Sequence, residues 1–442
     1  MLPIENIGDN METETLGSSL DQTAEPKPIQ EYVRELVTAA KRAAGRLASL
    51  STSVKNRALT AMADGLIEQS ETILAANAKD LELFGKKESA TADRLRLTPD
   101  RIADMAGGIR EIATLPDPIG EIGSLLRRPN GMQVGKVRVP IGVIGIIYES
   151  RPNVTADSAA LCLKSGNACI LKGGSEALHS NTAIAAILAE TAEKAGVPPG
   201  AITFIDRTDR DVTVELLKQD AYIDLIIPRG GDSLMKMVTD TSRIPVIKHD
   251  KGICHIFIDA DSDSQMAQRI CLNAKVQRPS TCNAMETLLV HQASARAILP
   301  DLIRRLIEAG VEVRGCPRTC QLSPDVKPAT DDDYGQEFLS LVLAVKIVKN
   351  VDEAMEHIAR YGSRHTESII TNDYGRALRF LREVDASAVM VNASTRLNDG
   401  HQFGLGAEIG ISTTRIHARG PMGLEELTCS KFIVFGSGQI RE

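Results

Sequence analysis

Gly142-Val-Ile-Gly-Ile-Ile147, then Tyr148-Glu-Ser-Arg-Pro-Asn153, then Ala168-Cys-Ile-Leu-Lys172 decide how this chain folds. The first run is an apolar strand and the second a polar loop. Val154 to Ser165 has helical spacing, and Ala168 to Lys172 is a second apolar strand, followed by Gly173-Gly-Ser-Glu176. The alternation continues with a helix over Asn181 to Ala195, a strand over Ile202 to Ile205, a helix over Asp209 to Gln219 and a strand over Ile223 to Ile227. The loop Pro228-Arg-Gly-Gly-Asp-Ser233 and a helix over Leu234 to Asp240 close the series. Continuous apolar strands joined by crossover helices predict a parallel sheet. Ligands bind such sheets beyond the carboxyl ends of the strands. Three loops fall there: Tyr148–Asn153, Lys172–Glu176 and Pro228–Ser233. The first turn carries no G-x-G-x-x-G. Gly404-Leu-Gly-Ala-Glu-Ile-Gly410 approximates one, but it follows no strand and opens no helix, so it reads as a flexible glycine loop near the active site.

Towards the N-terminus, helical periodicity covers Ile29 to Leu50, Lys55 to Ala75 and Ala92 to Ala113. Pro116, Pro118 and Gly120 break the chain before two strand-like runs flanking Pro129-Asn-Gly131, a hairpin over Ser124 to Val139. That hairpin has little core of its own and is expected to lean on another subunit. Towards the C-terminus a second α/β stretch begins with a helix over Ser264 to Lys275, a polar loop over Gln277 to Asn283 and a strand over Glu286 to His291. It continues with a helix over Ala293 to Ala309 and a short strand over Val311 to Arg314. After the polar loop Asp331–Gly335 come a strand over Leu341 to Val348, a helix over Val351 to Tyr361, a strand over Glu367 to Thr371, a helix over Tyr374 to Val384 and a strand over Ala388 to Asn392. Lys431 to Phe435 is a late strand. No internal repeat is present.

A chain of 442 residues suits two or three domains. No run of 18 apolar residues exists, so no membrane span is expected. The acidic, polar start lacks the basic and apolar regions of a signal peptide, and Met1 to Pro28 reads as a disordered tail. A net charge of −7 with scattered Lys and Arg, and no tryptophan, argues against nucleic-acid binding. The eight cysteines are expected to stay reduced in a cytoplasmic setting. Cys316 and Cys320 have the wrong spacing for a redox pair and read as two free thiols on a loop. His249, Cys254 and His255 are too few and too close for zinc, so no metal is expected.

Within the second stretch, Cys282 sits in the helix-to-strand loop. A thiol there is placed for nucleophilic chemistry, with Lys275 and Arg278 nearby expected to favour thiolate. The competing reading is a small buried filler.

Several stretches together carry a resemblance: Tyr148-Glu-Ser-Arg-Pro-Asn-Val-Thr155, Leu163-Lys-Ser-Gly-Asn167, Leu171-Lys-Gly-Gly-Ser-Glu176, Gln277-Arg-Pro-Ser-Thr-Cys-Asn283, Val391-Asn-Ala-Ser-Thr-Arg396, Phe403 to Thr413 and His417-Ala-Arg-Gly-Pro421. On these the chain resembles the aldehyde dehydrogenase superfamily over almost its whole length after the tail, and within it the branch that reduces gamma-glutamyl phosphate. The resemblance implies two parallel-sheet α/β domains, a Rossmann-like cofactor domain and a catalytic thiol domain, plus an oligomerisation β-hairpin. The expected division is a tail at 1–28, a cofactor domain at 29–122 and 141–247, and a catalytic domain at 248–400. A hairpin and tail for assembly fall at 123–140 and 424–442, and a glycine loop at 401–423 returns to the cofactor domain.

The resemblance makes Cys282 the nucleophile and Asn153 the amide beside the oxyanion, although Asn153 also suits a helix N-cap before Val154. It assigns Lys172, Ser175, Glu176, Pro228, Gly230 and Glu337 to the cofactor, with Glu176 displaced by the extra glycine. Arg151, Arg278 and Arg396 are candidates for the substrate's phosphate or α-carboxylate, since guanidinium groups bind such oxygens in pairs. Oxidising members carry a water-activating glutamate where this chain reads Ile244-Pro-Val-Ile-Lys-His-Asp-Lys-Gly252, without one. The implied reaction is the NADPH-dependent reduction of L-glutamate 5-phosphate to the 5-semialdehyde, in a cytoplasmic homodimer or larger homo-oligomer, with a glutamate kinase as transient partner. Oxidation of another aldehyde, or a non-enzymatic role for the fold, stand as alternatives.

Overall fold

The computed structural model describes residues 27–85, 94–149, 151–248 and 251–441. The expected tail lies outside these as far as residue 26. Val143–Tyr148 is buried along its whole length, as an apolar run packed between helices must be. It belongs to a four-stranded sheet in the order Ile202–Phe204, Ala168–Lys172, Val143–Tyr148, Leu225–Arg229. Every pairing is parallel, so the Tyr148, Lys172 and Arg229 ends emerge on one edge. Val33 and Val37 of helix Ile29–Leu47, Leu59 and Met62 of Thr52–Glu68, and Leu161 of Pro152–Lys164 share one core with Ile144, Ile146 and Ile170.

Several boundaries differ from the sequence reading, three of them near the helices that flank the first sheet. The single helix expected from Lys55 to Ala75 is two, Thr52–Glu68 and Ser70–Phe84. Apolar spacing runs on across the break at Gln69, so periodicity alone cannot show it. The third helix starts at Pro99, where Thr98 Oγ1 accepts from Arg101 N at 3.2 Å. Helix Pro152–Lys164 starts two residues earlier than expected, which makes Arg151 its N-cap and puts Asn153 inside the first turn. Proline's fixed φ suits that first position.

The second sheet has seven parallel strands in the order Lys327–Pro328, Glu312–Gly315, Val342–Val348, Met285–His291, Cys254–Ile258, Thr366–Ile370, Ala388–Val391. Cys254–Ile258 is fully buried in its middle, although its Cys-His start drew attention only as a metal candidate. Among the described residues no group of three or more His, Cys, Asp or Glu side chains is arranged to hold a metal ion. Cys316 and Cys320 flank and end a one-turn helix, Pro317–Cys320, rather than lying on a loop; both are free thiols.

A third, antiparallel sheet joins Ile122–Arg127, Gln133–Pro140 and Thr428–Phe435. At the hairpin tip Gly131 takes φ +90°, and Asn130 Oδ1 accepts from Met132 N at 3.2 Å. The late strand thus supplies the hairpin with a partner from its own chain. Both edges of Gln133–Pro140 are used, so only the outer strands have open edges. Among the described residues no helix is long and apolar enough to cross a membrane.

Candidate active site

Cys282 lies in a tight turn between helix Ser264–Val276 and strand Met285–His291. The turn is held from every side. Asp263 Oδ1 caps the helix by accepting from Met266 N at 2.7 Å. Thr281 Oγ1 donates to Arg278 O at 2.9 Å, and Ala284 N donates to Thr281 O at 3.0 Å. Asn283 Nδ2 donates to Asn398 O at 3.0 Å. Arg396 donates through Nη1 to Asn283 Oδ1 and through Nε to Gln277 Oε1, the latter at 2.9 Å. Cys254 Sγ donates to the Cys282 carbonyl at 3.1 Å. Gly252 passes so close that a Cβ there would lie 2.0 Å from Cys282 O. A backbone approach of that kind admits glycine alone.

A cavity of about 930 Å³ opens in front of the thiol. Glu149, Arg151, Arg229 and Gly230 reach it from the four-stranded sheet, and Ser280, Cys282 and Glu337 from the other side. Glu337 Oε1 accepts from Gly252 N at 2.9 Å. A second cavity of about 520 Å³ is lined by Asn153, Asp157 and Arg278 together with Arg94, Arg151 and Ser280, which line the first as well. Asn153 therefore borders the adjoining space rather than the thiol's own. Its Nδ2 donates to Asp157 Oδ2 at 3.2 Å.

The electrostatics correct one expectation. Burial holds the Cys282 thiol above its ordinary value, and it outweighs the downward pull of Arg229 and Arg151. Glu337 and Glu408 push it further up. Lys275 and Arg278 are not among the strongest influences on it: Lys275 is buried against Glu286 instead. At rest the group is a thiol. Burial, then Arg229, bring Arg151 down to about 10. Burial takes Asp157 up to about 6 against the Asn153 hydrogen bond and Arg229.

The other anticipated residues fall in three places. Lys172 ends its strand, with Nζ donating to Gly173 O at 3.0 Å, and burial lowers its pKa against the pull of Glu176 and Asp209. Ser175 and Glu176 follow in a short 3-10 turn. Neither of the two cavities is lined by these three. Pro228 is buried inside the strand Leu225–Arg229 rather than on a loop, whereas Gly230 borders the first cavity. Arg396 lines neither cavity, because its guanidinium is engaged with the Cys282 turn. The sequence reading missed Arg94, Glu149, Arg229 and Glu408. Arg229 and Glu149 sit at strand ends where ligands are expected, a signal that was available.

A nicotinamide dinucleotide brings a pyrophosphate, and the backbone offers it a fitting place. Gly231 N, at the start of helix Asp232–Thr241, donates to a carboxyl oxygen, Glu149 Oε2, at 2.9 Å. A Cβ on Gly230 would lie 2.5 Å from that same oxygen. Bare glycine backbone at a helix N-terminus is what anionic oxygens require.

A parallel-sheet domain and a thiol-bearing domain facing one cavity define a class, and residues 23–333 match the aldehyde dehydrogenase family. The chain belongs to that family, and within it to the gamma-glutamyl phosphate reductases. It is 56% identical over 416 residues to the gamma-glutamyl phosphate reductase of Thermodesulfovibrio yellowstonii, covering 94% of this chain and 100% of the relative. The crystal structure of the Thermotoga maritima gamma-glutamyl phosphate reductase superposes with a TM-score of 0.90 at 47% identity, covering 93% of this chain and 100% of that one. That of Saccharomyces cerevisiae matches at 31% identity with a TM-score of 0.52, covering 93% and 98%.

Proposed function

We propose that this protein reduces L-glutamate 5-phosphate to L-glutamate 5-semialdehyde with NADPH, releasing phosphate, as the second step from glutamate to L-proline. One observation carries the reading: the half-buried thiol of Cys282 lines a cavity walled by guanidinium groups. Arg94 and Arg151 border it directly, and Arg278 borders the adjoining space. Cations so placed suit a substrate carrying a phosphate and an α-carboxylate.

Cys282 attacks the acyl carbon, which splits one difficult reduction into thioester formation and its reduction. When bound, NADPH supplies the hydride. Asn153 and the Cys282 N–H are proposed to hold the oxygen as it gains charge. Arg151 and Arg278 are proposed to bind the substrate's anionic ends, while Arg396 keeps the turn in place. Lys172, Ser175, Glu176, Pro228, Gly230 and Glu337 form the proposed cofactor contacts, with Lys172 favouring the 2′-phosphate of NADPH. The division at 29–122 with 141–247, and 248–400, separates cofactor and thiol halves. A cytoplasmic homo-oligomer, supplied with the labile acyl phosphate by a glutamate kinase, completes the proposal.

The test runs the reaction backwards. Glutamate semialdehyde should reduce NADP only when phosphate is present. Reduction without phosphate would instead indicate an oxidising aldehyde dehydrogenase, and no reduction at all a non-enzymatic protein.

A further inference from the structure

Arg229 ends the strand Leu225–Arg229. Its backbone is fixed there: it stands opposite Tyr148 in the ladder, and its carbonyl accepts from Glu149 N at 3.0 Å. Its side chain lines the same cavity as Cys282. The guanidinium lies against Gly410 of the glycine loop, where a Cβ would come within 2.0 Å of Nη1 and 2.5 Å of Cζ. Gly410 thus leaves the room that the guanidinium occupies. Arg229 Nε is buried and has no hydrogen-bond partner. A buried donor without an acceptor is costly, and binding sites are where such donors wait for one. Charged and titratable groups within electrostatic reach of Arg229 include Arg151, Asp157, Cys282, His365 and Glu408. Neither carboxylate forms an ion pair with it. Among these groups Arg229 exerts the strongest downward pull on the Cys282 thiol.

We propose that Arg229 is a further catalytic residue, whose guanidinium holds the phosphoryl oxygens of the acyl phosphate while Cys282 displaces them. This rests on the function proposed above. The bond between Cys282 Sγ and the acyl carbon forms as the bond from that carbon to the phosphate oxygen breaks. The phosphate leaves with the bonding electron pair. The proton given up by the thiol departs on it as hydrogen phosphate, so the step is balanced without another reactant. The guanidinium itself exchanges no proton in this step. Its role is to hold charge on both sides of the exchange, first the thiolate and then the leaving phosphate. Its planar fork fits phosphate oxygens in a way that a lysine ammonium does not.

The experiment compares the parent with Arg229→Ala and Arg229→Lys. In the phosphate-consuming direction, KM is measured separately for phosphate and for the semialdehyde. On the protein alone, the rate of Cys282 alkylation by iodoacetamide is followed against pH, with the modified residue identified by mass spectrometry. In Arg229→Ala the KM for phosphate should rise about tenfold or more, the loss expected for a charge-assisted contact, with little change for the semialdehyde. Its alkylation midpoint should move to higher pH. Arg229→Lys should restore the midpoint towards the parent but leave phosphate KM raised. A folded Arg229→Ala with the parent's phosphate KM and the parent's midpoint overturns the proposal. If the alanine variant does not fold, a parental phosphate KM in Arg229→Lys overturns it. A parent with no phosphate-dependent reduction of NADP would sink the proposed function instead. The alkylation midpoint of Arg229→Ala would still decide whether Arg229 governs the thiol.

Discussion

The two parallel sheets meet at one cavity but handle charge differently. In the four-stranded sheet the strands Val143–Tyr148 and Ala168–Lys172 are buried throughout, and cations appear only at or just beyond the strand ends: Lys172, Arg151 and Arg229. In the seven-stranded sheet charge is buried within the fold itself. Lys275 and Glu286 pair with both side chains fully buried, and His255 Nδ1 meets Glu367 Oε2 at 2.9 Å in the same condition. The first arrangement leaves charge at the edge where parallel sheets take ligands. The second uses charge to fix a loop, because Lys275 precedes the Cys282 turn and Glu286 follows it. Glu286 Oε1 also accepts from Leu339 N at 3.1 Å, two residues beyond Glu337. One buried pair therefore ties together both ends of the Cys282 turn and the segment that bears Glu337.

The sharpest break of this comparison removes what the seven-stranded side exists to hold. Cys282→Ser should abolish turnover while leaving cofactor binding near normal, since a hydroxyl at neutral pH is a far weaker nucleophile. Stopped turnover with an unchanged dinucleotide titration is the expected result. Turnover near the parent's would end the thiol mechanism.

Next in size is the staple. Lys275→Met leaves Glu286 buried without its cation, and breaking such a pair costs about 3–5 kcal/mol. Burial already pushes the Glu286 carboxyl upward, with Lys275 opposing the shift. Without Lys275 the folded-state pKa rises further above the unfolded value. The folded state then binds more protons than the unfolded one as pH climbs between the two values, so stability falls with pH. Urea melts of the variant should show a larger deficit at pH 8 than at pH 5.5. A deficit that does not depend on pH would mean that Glu286 is not the group left stranded.

The same contrast explains what could be read from the sequence. Strands Val143–Tyr148 and Ala168–Lys172 are apolar runs, and their bounds were readable almost to the residue. Cys254–Ile258 was missed because a strand that starts Cys-His does not look apolar, although all five residues are buried. The turn carrying Cys282 was legible as a helix-to-strand loop. What holds it was not, since Cys254, Gly252, Arg396 and Asn398 come from distant segments. The thiol's ionisation was misread for the same reason. Lys275 is near in sequence but engaged with Glu286, while Arg229 is far in sequence and near in space.

A smaller effect sharpens the ligand-reading side. Lys172→Ala removes a buried ammonium at a strand end. It should raise the KM for NADPH about tenfold, as loss of a charged contact does, and that for NADH less. Equal effects on both, or a parent that prefers NADH, would remove the 2′-phosphate from the account.

The smallest effect on turnover is expected from the third sheet, because none of its residues lines either cavity. It belongs to neither parallel sheet, and its apolar side chains have little to cover them. Ile122, Leu125, Leu126, Phe432, Val434 and Phe435 are all exposed. A sheet of three strands needs a hydrophobic face packed on something to be stable. A proline at Val134 or Val137 would not test assembly, since both residues pair within the chain. The outer strands do test it. Thr428–Phe435 bonds to Gln133–Pro140 on one side and leaves its other edge open, and open edges are where chains associate. Phe435→Asp combined with Leu126→Asp places charge on both outer strands. Light scattering should then report monomers where the parent forms a two-fold or larger assembly, with turnover per subunit close to the parent's. A mass unchanged by both substitutions would mean that this sheet does not join subunits and serves only as a flap of its own chain.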